Sequence, residues 1–288
     1  MTTATLQAPP IGGGGESSPG HRFWVLAGRA GLRTAKSLLW ALLTLAVVIG
    51  LWWGILAALH LNPYFAKTPG DVYDYLFTGP TAAANRQVII SNLVITLRDA
   101  ALGYVGGTIA AVVVAALIVL RSSVEQTVMP VAVALRAVPL VAMTPLLVLI
   151  FGRGLLTVTI IAGIVTFFPS LVNLVFGLRS APANAFDLMR AYGASELQVL
   201  RKIQFPYSLA ALFASAKIAA PGAIVGATLA EWLATGKGLG NLMLVSSSDS
   251  QWGTLWSCVV VLTVSSVLIY NLVSIVEVPV VAHFRGTG

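Results

Sequence analysis

Residues 154–178 read GLLTVTIIAGIVTFFPSLVNLVFGL, 25 consecutive positions without an Asp, Glu, Lys or Arg. An α-helix needs about 20 apolar residues to cross the hydrocarbon of a bilayer, so this run is long enough to span one. Its apolar residues do not alternate with polar ones, which excludes a barrel strand. Working outward, charge-free intervals recur at 37–66, 100–120 and 250–276. Two further apolar segments carry one base each, Pro130–Phe151 with Arg136 and Ser208–Ala230 with Lys217. The sequence predicts an all-α polytopic membrane protein of six transmembrane helices, about 38–60, 97–120, 130–151, 155–176, 208–230 and 254–277.

Composition agrees with that class. Only 9% of the 288 residues are charged and 57% are hydrophobic, where soluble domains carry roughly a quarter as charged residues. Both a soluble enzyme and a disordered chain are excluded. The 17 basic residues outnumber the 10 acidic ones. In so apolar a chain that excess marks the cytoplasmic edges of membrane spans, not a nucleic-acid surface. With the N-terminus inside, Arg22, Arg29, Arg33, Lys36, Arg121, Arg179, Arg190, Arg201, Lys202 and Arg285 fall on one side, and Lys67, Arg86, Arg153 and Lys237 on the other. Both termini are therefore expected in the cytoplasm. Residues 1–36, with Gly12–Gly15 and several Ser and Pro, read as a flexible cytoplasmic tail, 37–280 as the six-helix domain and 281–288 as a short cytoplasmic tail. The first apolar run is too long for a secretory signal.

One substantial cytoplasmic connection remains, 177–207, with the sequence GLRSAPANAFDLMRAYGASELQVLRKIQFPY. It reads as two short helices around a turn. Ala185–Tyr192 is helix-compatible, Gly193 suits the left-handed position that ends it, and Ser195 with Gln198 forms a capping box for the second. Pro206 is expected to stop that second helix. From the residues alone, a hairpin lying on the headgroups and a docking element are equal alternatives.

The same segment resembles the EAA loop of permease subunits of ATP-binding-cassette (ABC) importers, whose pattern is E-A-A-x3-G-x9-I-x-L-P. Gly193, Ile203 and Pro206 match at the required spacing, while Asp187, Leu188 and Met189 stand for E-A-A and Phe205 for the leucine. LRAVPLVAMTPLLVLIFGRG (135–154) and KIAAPGAIVGATLAEWLATGKGLGNLM (217–243) resemble spans of the subgroup that imports nitrate, taurine, aliphatic sulfonates and some vitamin precursors. The resemblance covers residues from about 90 to 280 and implies a cytoplasmic coupling helix that docks in a groove on an ATPase subunit. Leu188, Met189 and Tyr192 would fill that groove, with Asp187 and Arg190 at its rim. It further implies a homodimer of this chain, two ATP-binding subunits, an extracytoplasmic substrate-binding protein and a bacterial inner-membrane location. ATP and magnesium would be held by the partner ATPase, with no cofactor or metal on this chain.

Four other residues are candidates for the pathway or gate. Lys217 lies about 16 Å along its helix from Pro206, deep enough either to line the pathway or to snorkel toward the cytoplasm. Gly222 and Gly226 belong to a small-residue face, with Ala214 and Ala230, that the resemblance places near the dimer interface and pathway. Glu231, followed by Trp232 and a Gly-rich stretch through Gly240, is assigned by the resemblance to the outer gate or the binding-protein dock. A similar stripe, Gly103, Gly107, Ala111 and Ala115, reads as internal packing. Thr235–Gly238 lacks the glycine and hydroxyl spacing of a phosphate loop, so the motor must be a separate subunit. His21, His60 and His283 have no metal-ligand spacing, and Cys258 is the single cysteine. The competing class, a membrane enzyme or scaffold without transport, should carry intramembrane clusters of His, Asp or Glu, and none of the predicted spans shows one in sequence.

Overall fold

The computed structural model describes residues 43–285, with side chains to 282. The N-terminal tail, the first residues of the first predicted span and residues 286–288 lie outside that range. Among the described residues every regular element is helical. Backbone N–H and C=O groups in hydrocarbon must be satisfied within their own segment, and helices do this without an edge.

The chain divides into two units, the first ending at Leu61. Within that first unit, α1 (Leu43–Ala58) exposes Leu45, Leu51, Trp53 and Ile55 along its length. The second unit begins with α2 (Pro69–Tyr73), opened by a Thr68–Asp71 capping box and continued by a π turn, Asp74–Thr78. Then follow α3 (Ala82–Leu120), α4 (Ser122–Ala137), α5 (Leu140–Phe151), α6 (Leu155–Leu178), α7 (Ala183–Ala191), α8 (Glu196–Val199), α9 (Phe205–Ala234), α10 (Gly238–Ser248) and α11 (Trp252–Arg285). Among the described residues four helices are long and apolar enough to cross a bilayer: α3, α6, the continuous Glu196–Ala234 and α11. The pair α4–α5 makes a fifth span if its two arms are counted together.

Three expectations need correction. The predicted 130–151 helix is two helices meeting at 107°. Val138, ahead of Pro139, is driven out of the helical region to ψ 125°, and Pro139 itself is extended. The helix of the second span begins at Ala82, well ahead of about 97, and Arg86 in its early turns donates to the Leu76 carbonyl at 2.6 Å. At 39 residues α3 is about 58 Å long, so its first turns stand clear of a hydrocarbon core of about 30 Å. Finally, Pro206 does not stop a helix. A π turn, Leu200–Gln204, joins α8 to α9 in one continuous helix, and this widened turn just ahead of Pro206 accommodates the proline without ending the helix.

The core is α6 with α3 packed along one side and α9 along another; α11 then packs on α9. Small residues permit these approaches. A Cβ on Gly103 would strike the Ala162 side chain, and one on Gly107 would strike the Gly163 carbonyl. Gly226 faces the same strip of α6, with the Ala162 Cα 3.0 Å from where its own Cβ would lie. Without a hydrophobic drive between helices in lipid, such close contact supplies the packing energy. Several hydroxyls inside the bundle are returned to their own helices, as in Thr166 to the Ala162 carbonyl and Thr228 to the Ile224 carbonyl. The outward faces remain apolar, with Leu149, Ile150, Phe176, Leu268 and Ile275 exposed.

Candidate functional site

The two ends of α9, about 45 Å apart, carry the residues of interest. At its N-terminal end, α6 stops at Leu178, and Arg179 grips the Glu125 carboxylate through two bonds of 2.9 and 2.6 Å. The chain then enters α7 through the extended Pro182. Helix α7 ends in a Schellman motif: Gly193, at φ +67°, donates to the Arg190 carbonyl at 2.9 Å, and Ala194 donates to the Met189 carbonyl at 3.0 Å. Ser195 immediately caps α8, its backbone N–H donating to Gln198 Oε1 at 2.8 Å while its hydroxyl accepts from the Gln198 N–H. Arg121 reaches Glu196 at 3.1 Å.

A rigid turn therefore presents a helix with no buried residue. Leu188 is 57% exposed and Tyr192 82% exposed, Met189 is half-buried, and Asp187 and Arg190 are exposed without an ion pair among the described residues. Ile203 is half-buried and Leu200 is buried against the bundle beside Leu174 and Leu178. Pinned backbone with unpartnered apolar and charged side chains is the arrangement of a contact surface.

At the other end of α9, Glu231 is 1% exposed. Its Oε2 accepts from the Thr96 hydroxyl of α3 at 2.8 Å and from the Gly240 N–H of α10 at 2.9 Å. The Thr96 hydroxyl in turn accepts from the Leu239 N–H at 2.9 Å. These are orphan amides of the first turn of α10, whose own N-cap, Lys237, makes no side-chain cap. Separating α10 from α3 and α9 inside a dry bundle would leave each amide unsatisfied, at about 1–3 kcal/mol apiece. Asp99, one turn along α3 from Thr96 and 4% exposed, lies within electrostatic reach of Glu231 and is paired with Arg98 at 2.8 Å. The spans thus hold two buried acids, Asp99 and Glu231, each with its own hydrogen-bond or ion-pair partners.

Lys217 neither projects freely nor stands alone. Its ammonium meets Glu277 Oε2 of α11 at 2.6 Å, with both side chains about four-fifths buried. Gly222 and Gly226 both face Val165 of α6, whereas Ala214 of the same predicted face is exposed. Thr96 and Glu277 were missed in sequence. Neither lies in a motif, and their partners are 135 and 60 positions away. Among the described residues no group of three or more His, Cys, Asp or Glu could hold a metal ion.

A helical membrane bundle with a pinned, exposed loop helix at one end defines a permease-type integral membrane protein. Residues 103–279 match the family described as binding-protein-dependent transport system inner membrane component. The chain belongs to that family and is a permease subunit of an ABC importer. It is 27% identical over 233 residues to a probable ABC transporter permease protein of Haemophilus influenzae, covering 81% of this chain and 93% of that one. It is 28% identical to the formylaminopyrimidine transport permease protein ThiX of Halalkalibacterium halodurans, over 65% of this chain and 73% of the relative. The riboflavin transport system permease protein RibX of Chloroflexus aurantiacus is 31% identical over 53% of this chain and 57% of its own. In fold, the chain superposes on the MetNI methionine ABC transporter, solved in inward-facing conformations, with a TM-score of 0.58 at 17% identity, covering 68% of this chain and 97% of that one.

Proposed function

We propose that two copies of this chain form the membrane pathway of an importer, with α7 of each copy seated in a groove on a cytoplasmic ATPase subunit. The observation that carries this reading is the exposed face of α7, held by the Gly193 Schellman motif and the Ser195 capping box yet unused within the chain. Leu188 and Tyr192 fill the ATPase groove, Met189 backs them, and Asp187 and Arg190 pair at its rim. In this orientation both termini are cytoplasmic, as the distribution of basic residues favours. ATP and magnesium are held by the ATPase subunits, and this chain supplies no catalytic group.

Closure of the ATPases on ATP draws the two α7 helices together. Because α8 and α9 are one helix, the displacement passes along α9 toward Glu231, where the pathway opens to a substrate-binding protein. Gly222 and Gly226 let α9 ride closely on α6 during this motion. Lys217, neutralised by Glu277, ties α9 to α11 and adds no net charge to the pathway. The solute is small, and the relatives named for riboflavin and formylaminopyrimidine transport favour a flavin or pyrimidine vitamin precursor. Further relatives named for aliphatic sulfonates and taurine put those next, and nitrate follows from the sequence resemblance alone.

The test is reconstitution of the chain with its ATPase and binding protein in vesicles, scanning these solutes for stimulated ATP hydrolysis and uptake. Stimulation by one of them is expected. Failure of the chain to co-purify with any ATPase subunit would overturn the reading.

A further inference from the structure

The Gly-rich stretch after Glu231 could act as a flap that opens separately, or it could be fastened to the bundle. Its second half is the 11-residue helix α10, and the fastening is specific. One carboxylate oxygen of Glu231 accepts both the Thr96 hydroxyl and the Gly240 N–H, and the Thr96 oxygen in turn accepts the Leu239 N–H. Three helices therefore meet in one buried polar knot. The fit is also steric. Gly238, at φ +86°, has no room for a Cβ because the Glu231 carboxyl occupies the space, and a Cβ on Gly240 would strike the Thr228 carbonyl of α9. Leu239 between them is fully buried.

We propose that Glu231 is a positioning residue of the gate: with Thr96 it fuses α10 to α3 and α9, so that this end of the bundle opens and closes as one body and α10 never swings out alone. The inference rests on the permease reading and deepens it. What matters is the acceptor oxygen Oε2, since Oε1 has no partner among the described residues. The amide of Glu231→Gln keeps that acceptor and Glu231→Ala removes it.

The experiment uses the complete complex with its ATPase and binding protein in vesicles. In a Cys258→Ala background, Thr96→Cys with Leu239→Cys replaces one strand of the knot by a tether. Expected results are ready oxidation of the pair and uptake within about twofold of the reduced protein. An arrest that dithiothreitol relieves would overturn the proposal, and so would failure of the pair to oxidise. In parallel, Glu231→Gln is expected to retain uptake within about twofold while Glu231→Ala loses at least tenfold. Uptake should return when the Cys tether is oxidised in the Glu231→Ala protein. Equal uptake by Glu231→Ala and the unaltered chain, or an equal defect in both variants, counts against the knot; if Glu231→Ala fails to assemble, the tether arm decides. If the unaltered chain itself shows no ATP-driven uptake, the permease reading falls instead.

Discussion

The two ends of α9 solve opposite problems with similar residues. At the α7 end, backbone groups are satisfied within a few positions of one another, and the side chains Asp187, Leu188, Arg190 and Tyr192 are left unused. At the α10 end, side chains from distant helices satisfy the backbone, and the carboxylate that does so is sealed from solvent. The first end is built to be completed by another protein. The second is already complete. Substitutions at α7 should therefore damage association and spare stability, whereas those around Glu231 should damage stability and function together.

The largest expected effect is at Gly193. Its φ of +67° is a region where a side chain costs about 1–2 kcal/mol, and no other atom crowds the position. Gly193→Val should abolish uptake while membrane insertion stays normal, and full uptake would remove the loop from the mechanism. Next, Leu188→Ala with Tyr192→Ala should lower ATPase co-purification about tenfold and leave the Tm of the permease unchanged. Thr96→Val should do the reverse, lowering Tm through a lost hydrogen bond and a stranded Leu239 amide worth about 1–3 kcal/mol. Equal stability losses at the two ends would erase the contrast.

Between the ends, Lys217→Glu should lower Tm by setting two carboxylates face to face, and adding Glu277→Lys should restore most of it. The smallest effect is at Asp71 in α2. The Thr68 N–H donates to its carboxylate at 2.8 Å and holds it below the usual carboxylate range. A depressed folded value contributes stability above the unfolded one, and that contribution is lost as pH falls through the folded value. Below about pH 4 the hydrogen-exchange protection factors across α2 should fall, and Asp71→Asn should remove that dependence.

The features legible in sequence were those encoded locally. Gly193, Ser195 and Gln198 announce their turn and cap within six positions, and the apolar runs announce helices. Features arising from distant pairs were not legible. Nothing near Lys217 points to Glu277, and nothing near Glu231 points to Thr96. The α4–α5 corner was legible in principle. Hydropathy runs unbroken through Val138–Pro139, but the rule that a residue before proline avoids the helix marks the break. Pro206 misled in the other direction, since a widened turn absorbed it.

That widened turn sets a phase. A residue advances an α-helix by about 100°, and the widened turn Leu200–Gln204 takes up one extra position within a single turn, so α9 keeps its phase about the axis relative to α8 and the loop behind it. Were the extra residue wound into an ordinary α turn instead, every downstream side chain would be chemically unchanged and aimed elsewhere: Glu231 would turn from Thr96, and Lys217 from Glu277. The chain length between Gly193 and the membrane is thus an angular setting, and the nine residues separating Gly193 from Ile203 are a count the bundle cannot alter without rewinding itself.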